Sequence, residues 1–296
     1  MENYLYAIVM GIAVGVINRV LMLRNDHRNY PTYPHGHLTH LSLGFMAAAL
    51  GAVAVPAIAE ADYTAATFLV LAAQQFRDIR NMERETLNRL EETKMVLRGA
   101  DYIEGIARVF EARNYLVILS ALVTSGLVVY LNFIYALAGA VVCVLFSLCL
   151  MNGKFIGDIA EVEKAELYFD GSLLKINDIV FNNVGLPQVR KKILDEGLGV
   201  IIKPKDDNAR LTLDALGQRM AIIHDVVSIL GSKVEVDEKE LTPMARKDPD
   251  KGYLALYIVA NEPDLEILID VIKKVPVLES AYNTTLKTFL GRKAAD

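Results

Sequence analysis

Residues 115–151 read YLVILSALVTSGLVVYLNFIYALAGAVVCVLFSLCLM, and this apolar run decides the fold class. A helix needs about 20 residues to cross a bilayer, so the run is too long for one crossing and long enough for two. Asn132 is its one strongly polar residue, which places a turn at residues 130–133. The sequence therefore predicts two membrane helices joined by a tight turn.

Three further apolar stretches precede this run, at residues 4–22, 38–59 and 63–76, and the last of them is short. Of the 296 residues, 53% are apolar and only 23% are charged, and the mean hydropathy of +0.30 is high for a soluble enzyme. Because Glu2 is the only charge before the first stretch, it lacks the basic start of a cleaved signal. We expect an α-helical membrane domain with five spans over residues 1–158.

Lysine and arginine are distributed on one side of these five spans. Neither residue occurs at positions 1–3, 60–62 or 130–133, whereas the segment 77–114 and the chain beyond the fifth span are rich in both. Because positively charged loops stay in the cytoplasm, the N-terminus is expected outside and the C-terminal domain inside. A net charge of −5 gives no reason to expect nucleic acid as a partner.

The segment 77–114 is polar but helix-forming, and we expect it to extend two spans into the cytoplasm as a helical hairpin. The run Arg98-Gly99-Ala100-Asp101 marks its turn, with Gly99 as a C-cap and Asp101 as an N-cap. The six residues that follow spell a motif: Tyr102, Ile103, Glu104, Gly105, Ile106 and Ala107.

This hexapeptide resembles the name-giving signature of the YIEGIA family, and the length and apolar first half are also similar to that family. The resemblance implies a sporulation-associated integral membrane protein of the forespore or spore inner membrane. It further implies a regulated membrane protease held in check by small inhibitory capping proteins, with other membrane proteins as substrates. A non-enzymatic scaffold is the alternative, and a homo-oligomer is compatible with either. No cofactor is expected, and the bilayer is itself a partner.

The motif need not be catalytic. A glycine inside a helix costs about 1 kcal/mol relative to alanine, so Gly105 suggests a notch where another helix packs or a partner docks. A direct catalytic role for Glu104 is the competing interpretation.

Familiar hydrolase and metal motifs are absent, since the chain has no HExxH, GxSxG, Walker or CxxC pattern. An aspartic mechanism needs two carboxylates, one as base and one as acid. Asp78 at the end of the third span and Asp158 just after the fifth are the expected pair, with Asp101 as an alternative. The alternative to a catalytic role for Asp78 is a structural salt bridge with Arg77, Arg80 or Lys154.

Four of the five histidines lie in or beside the loop after the first span. His35, His37 and His40 could hold a metal together with Asp26, but their spacing matches no established site. A collar that anchors lipid headgroups is the simpler interpretation. Arg19, near the end of the first span, is expected to snorkel to the interface or to pair with a carboxylate.

Residues 159–296 predict a cytoplasmic α+β domain. Asp170-Gly171 marks a hairpin, 186–196 and 263–274 read as helices, and 253–260 reads as a buried strand. We expect one long helix at 207–230, a strand at 199–203, a weak strand near 233–236 and a last strand at 275–281. This order suggests a ferredoxin-like sandwich, with His224 as a structural histidine on the long helix.

Overall fold

The computed structural model of the chain describes residues 2–26, 34–92, 94, 96–150, 153–234, 239–282 and 293. The chain forms two compact units. The membrane-helix unit comprises Met1–Thr86 and Ile106–Asn152, and the α+β unit comprises Leu87–Gly105 and Gly153–Asp296. The turn of the hairpin, residues 87–105, thus belongs to the α+β unit; we call this segment the hairpin tip.

The described residues of the first half of the chain form five helices: α1 Glu2–Asp26, α2 Pro34–Ala59, α3 Tyr63–Glu91, α4 Ala100–Tyr130 and α5 Phe133–Leu150. Polar side chains cap the N-termini of two of these helices, α3 and α5. The side chain of Asp62 accepts hydrogen bonds from the N–H groups at the start of α3, and Asn132 does the same for α5. The turn predicted at residues 130–133 is therefore confirmed.

Among the described residues, four segments are long and apolar enough to cross a membrane: Tyr4–Leu23, His37–Ala59, Ala100–Tyr130 and Phe133–Leu150. Helix α3 is not among them, because its apolar part, 63–76, covers only about 21 Å at 1.5 Å per residue. The prediction of five spans is therefore not confirmed. Helix α3 nevertheless packs in the bundle, since Phe76 belongs to the same buried cluster as Val117 and Arg80 pairs with Glu111 at 3.6 Å.

Small residues let the membrane helices approach closely. A Cβ added to Gly51 of α2 would lie 2.2 Å from the carbonyl oxygen of Ile118 in α4. A Cβ added to Gly15 of α1 would lie 2.6 Å from the Cβ of Ala48 in α2. In lipid, such van der Waals packing of small residues is a main source of helix association. Helices α1, α2 and α4 therefore form a tightly packed core.

The α+β unit contains, after the hairpin tip, six helices and seven strands among its described residues, together with a 3-10 turn at Lys239–Leu241. They are α6 Ile156–Ile159, β1 Ala160–Ala165, β2 Tyr168–Asp170, β3 Leu173–Ile176, β4 Ile179–Asn183, α7 Pro187–Glu196, β5 Gly197–Pro204, α8 Asp207–Asp214, α9 Leu216–Leu230, β6 Met244–Lys247, β7 Leu254–Val259, α10 Leu265–Lys273 and α11 Glu279–Tyr282.

The strands form two antiparallel sheets, one in the order β1-β5-β7-β6 and one in the order β2-β3-β4. Every residue of β7 is buried, as its unbroken apolar sequence requires of a central strand. The ring of Tyr257 in β7 meets Phe181 of β4 edge-on, with centroids 5.2 Å apart. This contact joins the two sheets in one core.

The ferredoxin-like fold is not confirmed, because the last predicted strand does not form. In its place β1 occupies the edge beside β5. The predicted strand at 275–281 makes only an isolated bridge, between Pro276 and Phe155, and ends in α11. Its backbone is instead held by Gln218, whose amide donates to the carbonyl of Pro276 and accepts from the N–H of Leu278.

Two other expectations about this unit also differ from the structure. The long helix predicted at 207–230 is divided at Ala215 into α8 and α9. The weak strand predicted near 233–236 falls partly outside the described residues, and the strand next to β7 is Met244–Lys247. Strand β6 is an edge strand with two exposed residues, so its sequence has little apolar pattern. For that reason it could not be distinguished from the charged run that contains it.

Candidate functional site

Among the described residues, five buried side chains of the membrane-helix unit carry an amide, imidazole or guanidinium group. We call them the polar cluster: Asn18, Arg19, His40, Arg113 and Asn114, with exposed fractions of 0%, 0%, 7%, 8% and 2%. They come from α1, α2 and α4. Polar and ionisable groups are costly in a membrane bundle, and such residues commonly mark a functional site.

Arg19 of α1 contacts side chains of both α2 and α4. Its Nη2 is 3.0 Å from Nδ1 of His40, and its guanidinium lies 5.3 Å from the centroid of the Phe110 ring. The ring of His40 meets Phe110 edge-on at 4.7 Å. Gly44 makes room for this arrangement, because a Cβ there would lie 2.4 Å from Cγ of Arg19. Arg19 is thus enclosed by protein, and the expectation that it snorkels is wrong.

Two amides complete the polar cluster. Asn18 donates from Nδ2 to the hydroxyls of Ser120 on α4 and Ser147 on α5, at 3.3 and 2.9 Å. Both amide atoms of Asn114 are buried without a hydrogen-bond partner in the described part of the chain. An unsatisfied buried amide costs roughly 1–3 kcal/mol, so this side chain has hydrogen-bonding capacity left for a ligand or water.

The predicted catalytic carboxylates lie in different units. Asp78 is exposed on α3 of the membrane-helix unit and makes no hydrogen bond or ion pair with any described side chain. Asp158 is exposed in the α+β unit, where its Oδ2 accepts a hydrogen bond from the N–H of Phe155 at 2.8 Å and caps α6. Their pairing stays a prediction.

The alternative carboxylates, Asp101 and Glu104, lie in the first two turns of α4. Asp101 is exposed, and its side chain packs against the backbone of Gly217, where an added Cβ would lie 2.5 Å from Oδ2 of Asp101. Helix α4 begins at Ala100, so Asp101 lies in its first turn rather than at the N-cap position predicted for it. Glu104 is half-buried in the next turn.

Only two residues of the predicted histidine site, His37 and His40, have described side chains. His37 is exposed, and His40 belongs to the polar cluster. The side chains of Asp26 and His35 lie outside the described part of the structure, so a metal site there stays a prediction. Among described residues, no group of three His, Cys, Asp or Glu side chains could hold a metal ion.

The YIEGIA motif lies where the hairpin tip meets α9. Tyr102 is 4% exposed, and its hydroxyl donates to Oδ2 of Asp225 at 3.3 Å. The guanidinium of Arg98 lies 5.9 Å from the Tyr102 ring. Gly99, with φ +87°, turns the chain into α4 against the side chain of Met220. The motif tyrosine therefore fastens the start of α4 to the α+β unit.

His224 is the main polar contact of the tip. Its Nδ1 donates to the carbonyl of Val96 at 3.1 Å, and its Nε2 accepts from Nε of Arg98 at 3.1 Å. Burial lowers the pKa of His224 to about 4. Ser228 lies 3.2 Å from the same Nε2, but a weakly basic nitrogen already bonded to Arg98 is poorly suited to activate a serine. The structural role expected for His224 is confirmed.

A cavity of about 420 Å³ in the α+β unit is lined by residues of α8, β6, β7 and the turn between the two strands. Three of its charged groups already have partners, because Lys247 pairs with Asp214 and Arg210 donates to the carbonyl of Pro249. We assign no chemistry to this cavity.

The close packing predicted at Gly105 is absent from the described part of the chain, where a Cβ would meet no atom within 4 Å. We therefore expect Gly105→Ala to leave stability unchanged or to raise it by up to about 1 kcal/mol, through helix propensity alone. Thermal unfolding of the detergent-solubilised protein measures this. A drop of several degrees in Tm would instead show that a helix packs there.

Sequence reasoning singled out Arg19 and, as a candidate metal ligand, His40, but it did not bring the two together and it missed Arg113 and Asn114. A polar pair, Asn18 and Arg19, inside an apolar stretch was the available signal. Its partners could not be named, because they lie 21 or more positions away on other helices.

Comparison with known proteins agrees with the motif. The family model described as YIEGIA protein matches residues 7–288. The chain is 43% identical over 281 residues to the protein YphB of Bacillus subtilis (strain 168), covering 95% of each chain. No solved structure shows a significant match. The chain therefore belongs to the YIEGIA family.

Proposed function

We propose that this chain is a sporulation-associated integral membrane protein that acts as a regulated protease on other spore membrane proteins. Membership of the YIEGIA family suggests this function. The observation that supports it is the polar cluster, because a bundle serving only as an anchor has no need to bury Arg19, Arg113 and Asn114. A membrane enzyme needs polar groups of this kind to hold a polypeptide backbone in lipid.

The proposed topology has five crossings, with the N-terminus outside and the α+β unit in the cytoplasm of the forespore. Helix α3 would be the short fifth crossing. Support comes from its place in the bundle beside α4 and from the distribution of lysine and arginine, which lies on one side only if the number of crossings is odd.

In the proposed chemistry, one of Asp78 and Asp158 is ionised and takes a proton from the attacking water. The other is protonated and gives its proton to the leaving amine. Small capping proteins would keep this activity off until it is needed, and the α+β unit offers them a docking surface outside the membrane.

We expect Asp78→Asn and Asp158→Asn each to stop the loss of co-expressed spore membrane proteins that the native chain causes. The amide oxygen introduced by Asp158→Asn can still accept the hydrogen bond from Phe155, so this change removes the charge and keeps the cap. The measurement is the abundance of each candidate substrate beside that of the variant protease.

Matched controls are Asp62→Asn and Asp264→Asn. Both residues are exposed and cap helices through a side-chain oxygen, as Asp158 does. Substrate loss should be unchanged in these controls. Continued substrate loss in the Asp78/Asp158 double variant would rule out the aspartic mechanism.

A non-enzymatic scaffold is the second candidate, and the docked hairpin tip favours it. The contacts from Arg98 to His224 and from Tyr102 to Asp225 hold the hairpin tip to α9 without any need for chemistry. A scaffold predicts co-purification of partner proteins whose abundance is the same with and without the native chain.

A further inference from the structure

The polar cluster of the membrane-helix unit is positively charged. Two of its five side chains are guanidiniums, which stay protonated in proteins, and none is a carboxylate. The Phe110 ring of α4 contacts Arg19 of α1 and His40 of α2. Arg113 and Asn114 follow Phe110 by three and four positions, so they lie on the same face of α4. Three helices therefore bring cationic and amide groups around one ring.

Asn114 is the member of the polar cluster whose hydrogen-bonding capacity is unused. It is 2% exposed, and neither its Oδ1 nor its Nδ2 has a hydrogen-bond partner in the described part of the chain. Buried polar atoms of folded proteins nearly always have a partner. An amide left unsatisfied at both ends, next in the chain to the buried guanidinium of Arg113, therefore points to a ligand that completes the site.

The polar cluster lies at the same end of each apolar segment that contributes to it. Arg19 lies four residues before the end of the apolar segment of α1, and His40 is the fourth residue of that of α2. Asn114 directly precedes the apolar run at residues 115–130. At 1.5 Å per residue, these positions are within about 6 Å of the ends of the apolar segments, which is close to the level of lipid headgroups. Basic pockets between membrane helices at this level bind acidic headgroups.

We propose that the polar cluster binds a phosphate group, and that this phosphate belongs to the headgroup of an anionic lipid. Guanidiniums bind phosphate oxygens through charge-assisted hydrogen bonds, and Nδ2 of Asn114 adds a neutral donor. Arg113 and His40 keep exposed fractions of 8% and 7%, so the polar cluster reaches the surface of the bundle through them. A lipid bound there would tie α1, α2 and α4 together at the headgroup level.

The test measures lipid binding to the full chain in detergent, by native mass spectrometry and by the change in Tm. Phosphatidylglycerol should bind and raise Tm. Phosphatidylcholine, whose fixed cation cancels the phosphate charge, should bind at least about tenfold more weakly, and equal binding of the two lipids overturns the proposal. Inorganic phosphate identifies the source of the phosphate. A rise in Tm with phosphatidylglycerol alone supports a headgroup, whereas a rise with inorganic phosphate alone supports the phosphate chemistry and overturns the lipid as its source.

Arg113→Gln removes a charge and keeps a long hydrogen-bonding side chain. We expect it to weaken phosphatidylglycerol binding at least about tenfold, as the loss of a charge-assisted hydrogen bond predicts. Arg108→Gln is the matched control, since Arg108 is exposed on the same helix, and the affinity should change there by less than about twofold. In protein labelled with ¹³C-histidine, the His40 ring resonance, assigned with His40→Gln, should shift on lipid addition in the native chain and not in Arg113→Gln. Lipid binding as tight in Arg113→Gln as in the native chain overturns the proposal.

Asn114→Leu tests the site independently, even where Arg113→Gln fails to fold. It replaces an unpartnered amide with an apolar group of similar shape, so the lipid-free protein should keep its Tm or gain stability. The rise in Tm with phosphatidylglycerol should become smaller, because the Nδ2 donor is gone. A lower lipid-free Tm together with an unchanged response to phosphatidylglycerol would show a structural role for Asn114 and overturn the proposal. Because no readout involves proteolysis, failure of the lipid site is distinguishable from failure of the proposed protease.

Discussion

Gly51→Ala is expected to destabilise the membrane-helix unit by about 2–3 kcal/mol. The new Cβ would lie 2.2 Å from the carbonyl oxygen of Ile118 and about 3 Å from two further backbone atoms of that residue. A side chain could rotate away from such a contact, whereas the backbone of a helix cannot. Helices α2 and α4 would have to separate, and the small-residue packing between them would be lost.

Gly126→Ala on α4 is the matched control. A Cβ at Gly126 would lie 3.8 Å from a methyl group of Val55, an ordinary van der Waals distance. Helix propensity favours alanine at both positions by about 1 kcal/mol, so the difference between the two variants isolates the clash. Unfolding in mixed micelles, followed by the helical circular dichroism signal, measures both. Equal stabilities for the two variants would show that α2 and α4 do not cross as described.

The helices of the first half followed from apolar length alone, since a bilayer accepts few other structures. The position of the α4–α5 turn followed from Asn132. How the helices pack did not follow. Gly51 and Gly126 look alike in the sequence, and only the neighbouring backbone distinguishes a contact residue from an open one.

In the α+β unit, local patterns predicted the hairpin at Asp170-Gly171, the helix α7 and the central strand β7. Edge positions were not predictable in the same way. Whether β1 or a C-terminal segment pairs with β5 depends on competition between distant segments; β1 takes the position, and Gln218 bonds the backbone at residues 276 and 278.

For the candidate site, the motif was recognisable but its structural role was not. Tyr102 and Asp225 are separated by 123 positions, so no local spacing could connect them. His224 was expected to be satisfied inside the α+β domain, and two of its partners proved to lie in the hairpin tip. Contacts of this kind are what make a loop between membrane helices part of the second unit.

The last prediction is that lowering the pH from 7 to about 4.5 loosens the hairpin tip. Burial is the main cause of the depressed pKa of about 4 for His224, and the hydrogen bond to the carbonyl of Val96 opposes it. The positive charges of Arg98 and Lys94 lower the pKa further, and Glu91 raises it. When the tip opens and His224 meets water, the imidazole returns towards its ordinary pKa of 6.5.

The sign follows from proton binding. Between pH 6.5 and 4 the open state holds a proton that the docked state lacks, so acid favours opening, and above pH 6.5 the docked state keeps its full stability. We expect a loss of about 2 kcal/mol at pH 4.5, seen as hydrogen exchange at residues 96–104 more than tenfold faster after correction for intrinsic rates. His224→Gln keeps a hydrogen-bonding side chain without the titration, so its tip should show the same protection at both pH values. A native tip equally protected at pH 7 and 4.5 would mean that the pKa of His224 is the same in the docked and open states, which would contradict the prediction.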